Sequence, residues 1–364
     1  MFLVDKFIVK VINYVFSSER SIGKEILLSP LALFSFFYRG VVALRQNAYK
    51  SGLLYSEKVA LPIVSIGNIT VGGTGKTPTA IYLARILQEQ GKKVGILARG
   101  YKGMASDKVN VVSDGQKLYL GPREAGDEPF LIAQKLPAVV VLTGKNRLRA
   151  AKVAQTNFGV DVAILDDGFQ HLCLKRDLDI IIVDGENPWG NNYLLPRGSL
   201  REPPTGIKRA DIILVNQKPG IDWMKVEIMI RKFNSTSPIF TLRYIPAELV
   251  SLNSQENLPL NYLQGKEINV LAGLARPARF ISLLNEMGIK IKDVFLFPDH
   301  HFYYSGDLAR IDKNISLVTT EKDGVKLKEL NLLDREILVL KIEPRIEPKE
   351  KFYYFLKKYL PSLF

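Results

Sequence analysis

Residues 65–80 read SIGNITVGGTGKTPTA, and their types suit the handling of phosphate. Backbone N–H groups from Gly72 to Gly75 can point inward at phosphate oxygens, because glycine lets the chain come close in conformations closed to other residues. Lys76 supplies a charge for β- and γ-phosphates, and the Thr77 hydroxyl suits Mg2+. Pro78 then opens a helix whose N-terminus adds partial positive charge, at a position where its missing N–H costs nothing. Thr70, Val71, Gly72, Gly73, Thr74, Gly75, Lys76 and Thr77 are therefore the candidate nucleotide-binding residues.

A second cluster lies at VAILDDGFQH, residues 162–171. It sets Asp166 and Asp167 at the end of an apolar strand. A carboxylate at the tip of a strand beside the loop strand suits a metal, so Thr77, Asp166 and Asp167 are the candidate ligands. Two adjacent acids repel unless a cation or hydrogen bonds separate them. Gly168 makes a solvated turn the plain alternative. Gln170 and His171 follow at once, and the chain has only 3 histidines. Both are candidate substrate contacts. Arg201, in the loop SLREP, is a third, as a partner for a phosphate.

These residues need a rigid scaffold. From residue 61, short β-rich runs alternate with helical segments: strands at 63–66, 94–98, 138–142, 162–165, 180–183 and 212–215, and helices at 78–90 and 146–157. Continuous apolar strands separated by helices imply a parallel sheet covered on both faces. The alternation fades over 236–267, which reads as a linker, and a smaller α/β region follows over 268–364. The expected division is 1–50 apolar N-terminal helices, 51–235 a P-loop core, 236–267 the linker and 268–364 a second domain.

Apolar content of 47% over 364 residues is enough for an ordinary core, and the net charge of +13 favours anionic partners. A single cysteine, Cys173, excludes an internal disulfide. The N-terminal helices, expected over 1–16 and from Ser29-Pro30 onward, are unusually apolar for so basic a chain. Packing on the protein's own core is one reading. An interfacial pair whose Lys6, Lys10, Arg39 and Arg45 meet anionic headgroups is the other, and it is favoured. No nucleic-acid motif accompanies the charge, so a nucleic-acid partner is not expected.

The segments GNITVGGTGKTP (67–78), GDEP (126–129), DDGFQH (166–171), LLPRGSLREP (194–203), FPDHHFY (297–303) and TEKDGVKL (320–327) occur in this order. Together they resemble the tetraacyldisaccharide 4'-kinases, the lipid A kinases of Gram-negative bacteria, from about residue 60 to about 330. The resemblance implies a P-loop α/β core, a smaller C-terminal α/β domain and a β-ribbon linker. It implies transfer of the γ-phosphate of ATP, with Mg2+, to the 4'-hydroxyl of an acylated disaccharide 1-phosphate. It also implies an N-terminal helix docked on the cytoplasmic face of the inner membrane, and the chain is expected to be a monomer. In that family the GDEP aspartate is the proposed base, here Asp127, paired with a histidine matched to His300. His301 stands beside it, and Asp127 also reads as a helix cap. The stretch AGLARPARF departs from the family pattern at Ala272 and Leu274 but keeps Arg276, Pro277, Arg279 and Phe280.

Rival readings exist. The motif G-x-x-x-x-G-K-[ST] asks for glycine where Thr70 stands, and VGGTGKT is close to the loop of partition-type and metallochaperone-type ATPases. Val71 replaces their signature lysine, which weakens that alternative. VNQKPG, residues 215–220, departs from the N-K-x-D of GTPases.

Overall fold

The computed structural model describes residues 11, 14–17, 19, 21–105, 108–218, 220–330 and 332–364. The helix expected over 1–16 lies largely outside the described residues. The architecture is mixed α/β, built on one 13-stranded sheet.

Five strands without a polar face lie side by side in its first half. They are β1 (Ile63–Gly67), β2 (Val94–Ala98), β5 (Val162–Asp166), β6 (Leu178–Asp184) and β7 (Ile212–Asn216), all buried along their whole length. Strands β3 (Asn110–Asp114) and β4 (Val140–Thr143) extend one edge, and β3 alone of this half runs antiparallel. The order β7-β6-β1-β5-β2-β4-β3 puts β1 centrally, between β5 and β6. Chain order reverses there, and such switch points open a crevice at the carboxyl ends of the strands.

Helix α3 (Lys76–Glu89) covers one face of the sheet. Ala80, Ile81, Leu83, Ala84, Ile86 and Leu87 are buried in one cluster with Val64, Ile96 and Ile164. It stops at Gly91, whose φ of 73° suits a residue without Cβ. Helices α4 (Asp127–Lys135), α5 (Arg147–Phe158) and α6 (Trp223–Arg231) complete the two covering layers.

The stretch expected to link two domains carries a long strand. β8 (Ile239–Ser251) pairs in parallel with β7 and antiparallel with β13 (Ile337–Glu347), from Thr241 opposite Glu347 to Ser251 opposite Leu338. β9 (Asn257–Leu258) adds a short strand to β8. β10 (Glu267–Ala272), β11 (Lys290–Leu296) and β12 (Leu317–Thr320) continue the sheet beyond β13, with α7 (Pro277–Glu286) and α8 (Glu321–Leu327) on them. The β8–β13 ribbon thus joins two lobes. The chain end does not stay with the second lobe: α9 (Lys349–Tyr359) returns to the first core, where Phe352 meets Phe240 edge to face at 5.4 Å.

Helices α1 (Ile22–Leu27) and α2 (Ser29–Lys50) precede the sheet. Ser29 begins α2, and the cap position is Leu28. Ser35 is the buried residue of this 22-residue helix, while Leu33, Phe34, Phe36, Phe37, Val41 and Leu44 are exposed. Polar groups do the docking. The Ser35 hydroxyl donates to the Leu194 carbonyl (2.7 Å), Tyr38 to that of Arg201 (3.0 Å) and the Gln46 amide to Glu202 (2.7 Å).

Candidate functional site

The loop after β1 and the first turn of α3 form the floor of a cleft of about 1140 Å³ between the lobes. That volume lies at the upper end for a small-molecule site and leaves room for more than a nucleotide. Gly72 and Gly75 have φ of 110° and 92°, backbone states that other residues rarely adopt. A side chain at position 75 would also collide with the Tyr244 hydroxyl of β8. That hydroxyl donates to the Gly75 carbonyl (2.7 Å), so the ribbon itself pins the junction of loop and helix. Asn68 and Asn216 brace the loop further: the Asn68 amide donates to the Thr74 hydroxyl (3.1 Å), the Asn216 amide to the Thr74 carbonyl (3.3 Å). Val71 to Thr77 line the cleft, whereas Thr70 is buried and bridges to Leu200.

Asp166 and Asp167 have different surroundings. Pairing of β5 with β1 brings Asp166 beside the loop, and its Oδ2 accepts from the Thr77 hydroxyl at 2.8 Å. Its Oδ1 is buried without a hydrogen-bond partner. Burial pushes this carboxyl up to about 7, helped by the charges of Glu128 and Asp167 and opposed by the Thr77 hydroxyl and Lys76. Two hard oxygen donors, one of them unpartnered, are what a divalent cation such as Mg2+ takes. Asp167 instead holds cations. Its carboxylate accepts from Arg201 at 2.9 Å and lies 3.6 Å from Lys76. Burial would raise its pKa, but Lys76 and Arg201 outweigh it and lower the value.

Gln170 and Arg201 line the cleft and touch each other at 3.3 Å. His171 does not line it. Its ring accepts from the backbone N–H of Arg147 (3.2 Å), at the start of α5, and meets the Cys173 sulfur at 3.1 Å. Burial pushes this imidazole down to about 4, with Arg147, Arg45 and Arg176 adding to the effect. A residue next to a motif in sequence is here turned to the far side of the turn.

Across the cleft, Asp127 opens α4 after Gly126, whose φ of 88° turns the chain into the helix. Its Oδ1 accepts from the Glu128 N–H (2.9 Å) and meets His300 Nδ1 at 2.7 Å. His300 comes from the other lobe, in the loop after β11, with φ of 61°. His301 points elsewhere: its Nε2 meets Asp307 at 2.8 Å, and its ring stacks on Phe297.

Two lysines complete this corner, and sequence reasoning gave them no role. Lys322 Nζ lies 2.9 Å from Glu128 and from Asp299, 3.4 Å from His300 Nε2 and 3.9 Å from Asp127 Oδ2. Lys326, fully buried, lies 3.4 Å from Asp127 Oδ2 and 3.0 Å from Asp323. Burial alone would raise the Asp127 pKa, but the His300 hydrogen bond and the charges of Lys322, His300 and Lys326 hold it well below the usual carboxylate range. The i, i+4 spacing of the two lysines in TEKDGVKL was the available signal, since it sets both on one helix face.

The fold and the cleft define a P-loop nucleotide-binding protein whose second lobe reaches over the phosphate loop. Comparison with known proteins narrows this. Residues 26–361 match the family described as tetraacyldisaccharide-1-P 4'-kinase. A tetraacyldisaccharide 4'-kinase of Syntrophus aciditrophicus (strain SB) is 41% identical over 351 residues, covering 90% of this chain and 93% of that protein. A protein of the same name from Anaeromyxobacter sp. (strain Fw109-5) is 38% identical, covering 89% of each. Among solved structures, the "apo" form of LpxK from Aquifex aeolicus in complex with ATP is 34% identical. It superposes with a TM-score of 0.76 over 93% of this chain and 99% of its own. The chain belongs to the tetraacyldisaccharide-1-P 4'-kinase family.

Proposed function

We propose that this chain binds ATP in the interlobe cleft and transfers its γ-phosphate to the 4'-hydroxyl of a tetraacyldisaccharide 1-phosphate, with Asp127 taking the hydroxyl proton and His300 holding Asp127. The chain's family and the ATP-bound relative support the reaction. The 2.7 Å contact between Asp127 and His300, on the wall of the cavity that also contains the phosphate loop, carries the assignment of roles.

Phosphoryl transfer needs the hydroxyl aligned with the γ-phosphate and charge set to meet the phosphate oxygens. Lys76 supplies that charge. Asp167, by holding both Lys76 and Arg201, orders two cations toward the cleft. Thr77 and Asp166 would hold Mg2+, which neutralises charge on the β- and γ-phosphates when bound. Arg201 and Gln170 are read as contacts to the acceptor, Arg201 to its phosphate.

In the transfer the acceptor oxygen bonds to the γ-phosphorus, the bond from that phosphorus to the leaving ADP oxygen breaks, and the hydroxyl proton leaves. Asp127 is the group to receive it, its Oδ1 held by His300 and its Oδ2 beside Lys326 and Lys322. A carboxylate held so strongly ionised is a weak base, so its larger contribution is orientation, with the proton accepted late. His300, clasped between Asp127 and Lys322, fixes that orientation. Because it comes from the second lobe, the pair exists only with the lobes together, which keeps water from the γ-phosphate.

The second part of the reading concerns the surface. α2 is tethered through polar groups and turns its aromatic residues outward. Such a face suits a lipid surface, with the protein lying on the cytoplasmic side of a membrane. Among the described residues no helix is long and apolar enough to cross one.

The test incubates the full chain with ATP, Mg2+ and the acylated disaccharide 1-phosphate in detergent. Lipid gaining a second phosphate is the expected product. ATP hydrolysis without lipid phosphorylation would favour the ATPase alternative and overturn the reading.

A further inference from the structure

Asp323, in α8, is completely buried and takes no part in the chemistry so far described. Its Oδ2 accepts from the Gly273 N–H (3.0 Å) and the Thr320 hydroxyl (2.8 Å), and its Oδ1 from the Tyr303 hydroxyl (2.8 Å). Gly273 follows β10, Thr320 ends β12 and Tyr303 lies in the loop after β11, so all three donors belong to the second lobe. A Cβ at position 273 would stand 2.7 Å from the Tyr303 hydroxyl and 2.9 Å from Asp323 Oδ1, which leaves no room for a side chain there. Burial and the charge of Asp323 raise the Tyr303 phenol, which therefore stays protonated and donating.

Lys326 lies one turn further along α8, its Nζ 3.0 Å from Asp323 and 3.4 Å from Asp127 Oδ2. One buried ammonium thus stands between two buried carboxylates. Without water to share the load, a bare Asp323 would hold the ammonium for itself. The three neutral donors satisfy Asp323 without adding charge, and leave part of the field of the lysine for Asp127. Asp323 in turn pins a side chain whose four-carbon stem is otherwise flexible. Asp127 is also faced by His300 and Lys322 from the second lobe and by Glu128 from its own helix, and Lys322 is paired with Glu128 and Asp299. His300 and Lys322 line the cleft, whereas Lys326 is fully buried, so its effect on Asp127 is one of charge and position.

We propose that Asp323 is a positioning residue for the transfer reaction: held by Gly273, Thr320 and Tyr303, it fixes Lys326 where Asp127 shares the ammonium. This rests on the reading of Asp127 as the base.

The experiment follows kcat and KM for ATP against pH in the lipid phosphorylation assay, with the full chain as wild type, Y303F and D323N. Y303F keeps the ring and removes one donor. Asp323 then draws harder on Lys326, Asp127 loses counter-charge, and its lowered pKa rises. The ionised base is therefore lost sooner as pH falls, and the acid limb of kcat should move to higher pH. D323N keeps an oxygen for Gly273 and Thr320 but removes the competing charge, so the ammonium acts undivided on Asp127. Its acid limb should stay at or below that of the wild type, while its plateau kcat falls roughly 10- to 100-fold, because Asp127 is then a weaker base and Lys326 is no longer pinned. KM for ATP should be unchanged in both. Acid limbs that rise together in the two variants, in step with falling melting temperatures, would make the cluster merely structural and overturn the proposal. An unmoved acid limb in folded Y303F would overturn it even if D323N failed to fold. A wild type that left the lipid unphosphorylated would overturn the kinase reading and this one with it, whereas normal wild-type transfer with unaltered variants would overturn this one alone.

Discussion

The two walls of the cleft are assembled in opposite ways. The phosphate wall is made within one lobe: Thr77 follows β1, Asp166 ends the neighbouring β5, and their 2.8 Å contact is fixed by strand register. The opposite wall is composite. Asp127 belongs to α4 of the first lobe, whereas His300, Lys322 and Lys326 belong to the second. The phosphate loop is braced within its own lobe by Asn68 and Asn216, while the Asp127–His300 pair forms only where the lobes meet. On the proposed reading, lobe closure is a condition for the chemistry.

The harshest way to break this contrast is Lys76→Ala. It should cut turnover by roughly 10³–10⁵-fold, the scale of a removed transition-state charge. A variant retaining a few per cent of wild-type turnover in the lipid phosphorylation assay would remove Lys76 from the reaction.

The composite wall makes the sharper prediction. Asp127→Ala should lower the catalytic rate by roughly 10²–10⁴-fold, with little effect on ATP affinity. His300→Ala should lower it as well, and the double variant should be little worse than Asp127→Ala alone, because an orienting group then has nothing to orient. His301→Ala, whose ring faces Asp307, should stay near wild type. Multiplicative losses in this cycle would mean two independent roles.

Lys326→Met leaves Asp127 and Asp323 short of a buried counter-charge, which costs about 3–5 kcal/mol when one partner of such a pair is removed. A fall in melting temperature is expected. The sign of the pH effect follows from the lowered pKa of Asp127. Its ionised form stabilises the fold above the unfolded value and loses that effect as pH falls through the folded value. Removing a charge that holds the value down should move the acid limb of both stability and rate to higher pH. An unmoved acid limb would detach Lys326 from Asp127.

The smallest effect on chemistry is expected from replacing Phe34, Phe36 and Phe37 of α2 with Gln. Binding to anionic vesicles should fall several-fold in co-sedimentation, while turnover of detergent-dispersed substrate stays close to wild type. Vesicle binding at the wild-type level would make the outward face idle.

Much of the phosphate wall was legible in the chain itself. A glycine loop, Lys-Thr and a helix start follow one another in sequence, and an acid at the end of an apolar strand has few places to go in a parallel sheet. The resemblance carried Asp127 and His300. The region over 236–267 was harder. Its long strand β8 pairs along most of its length with β13, almost a hundred residues away, and its mixed burial pattern leaves no clean period. α2 was ambiguous for a related reason. Apolar residues covering most of a helix reveal no inward face, and polar docking through Ser35, Tyr38 and Gln46 cannot be read from periodicity.

What the sequence by itself determined is therefore local: the phosphate loop, the strands that carry it and the helices that follow them, each set by residues within one or two turns of chain. Only the tertiary structure decided that Asp166 faces Thr77 while Asp167 faces Lys76 and Arg201, that His171 turns away to α5, and that Lys326 and His300 close on Asp127. Those outcomes depend on strand order, on the ribbon that joins the lobes and on which carboxylates are desolvated. All three are properties of contacts between residues far apart in the chain, where charge and burial act through space and no spacing along the sequence records them.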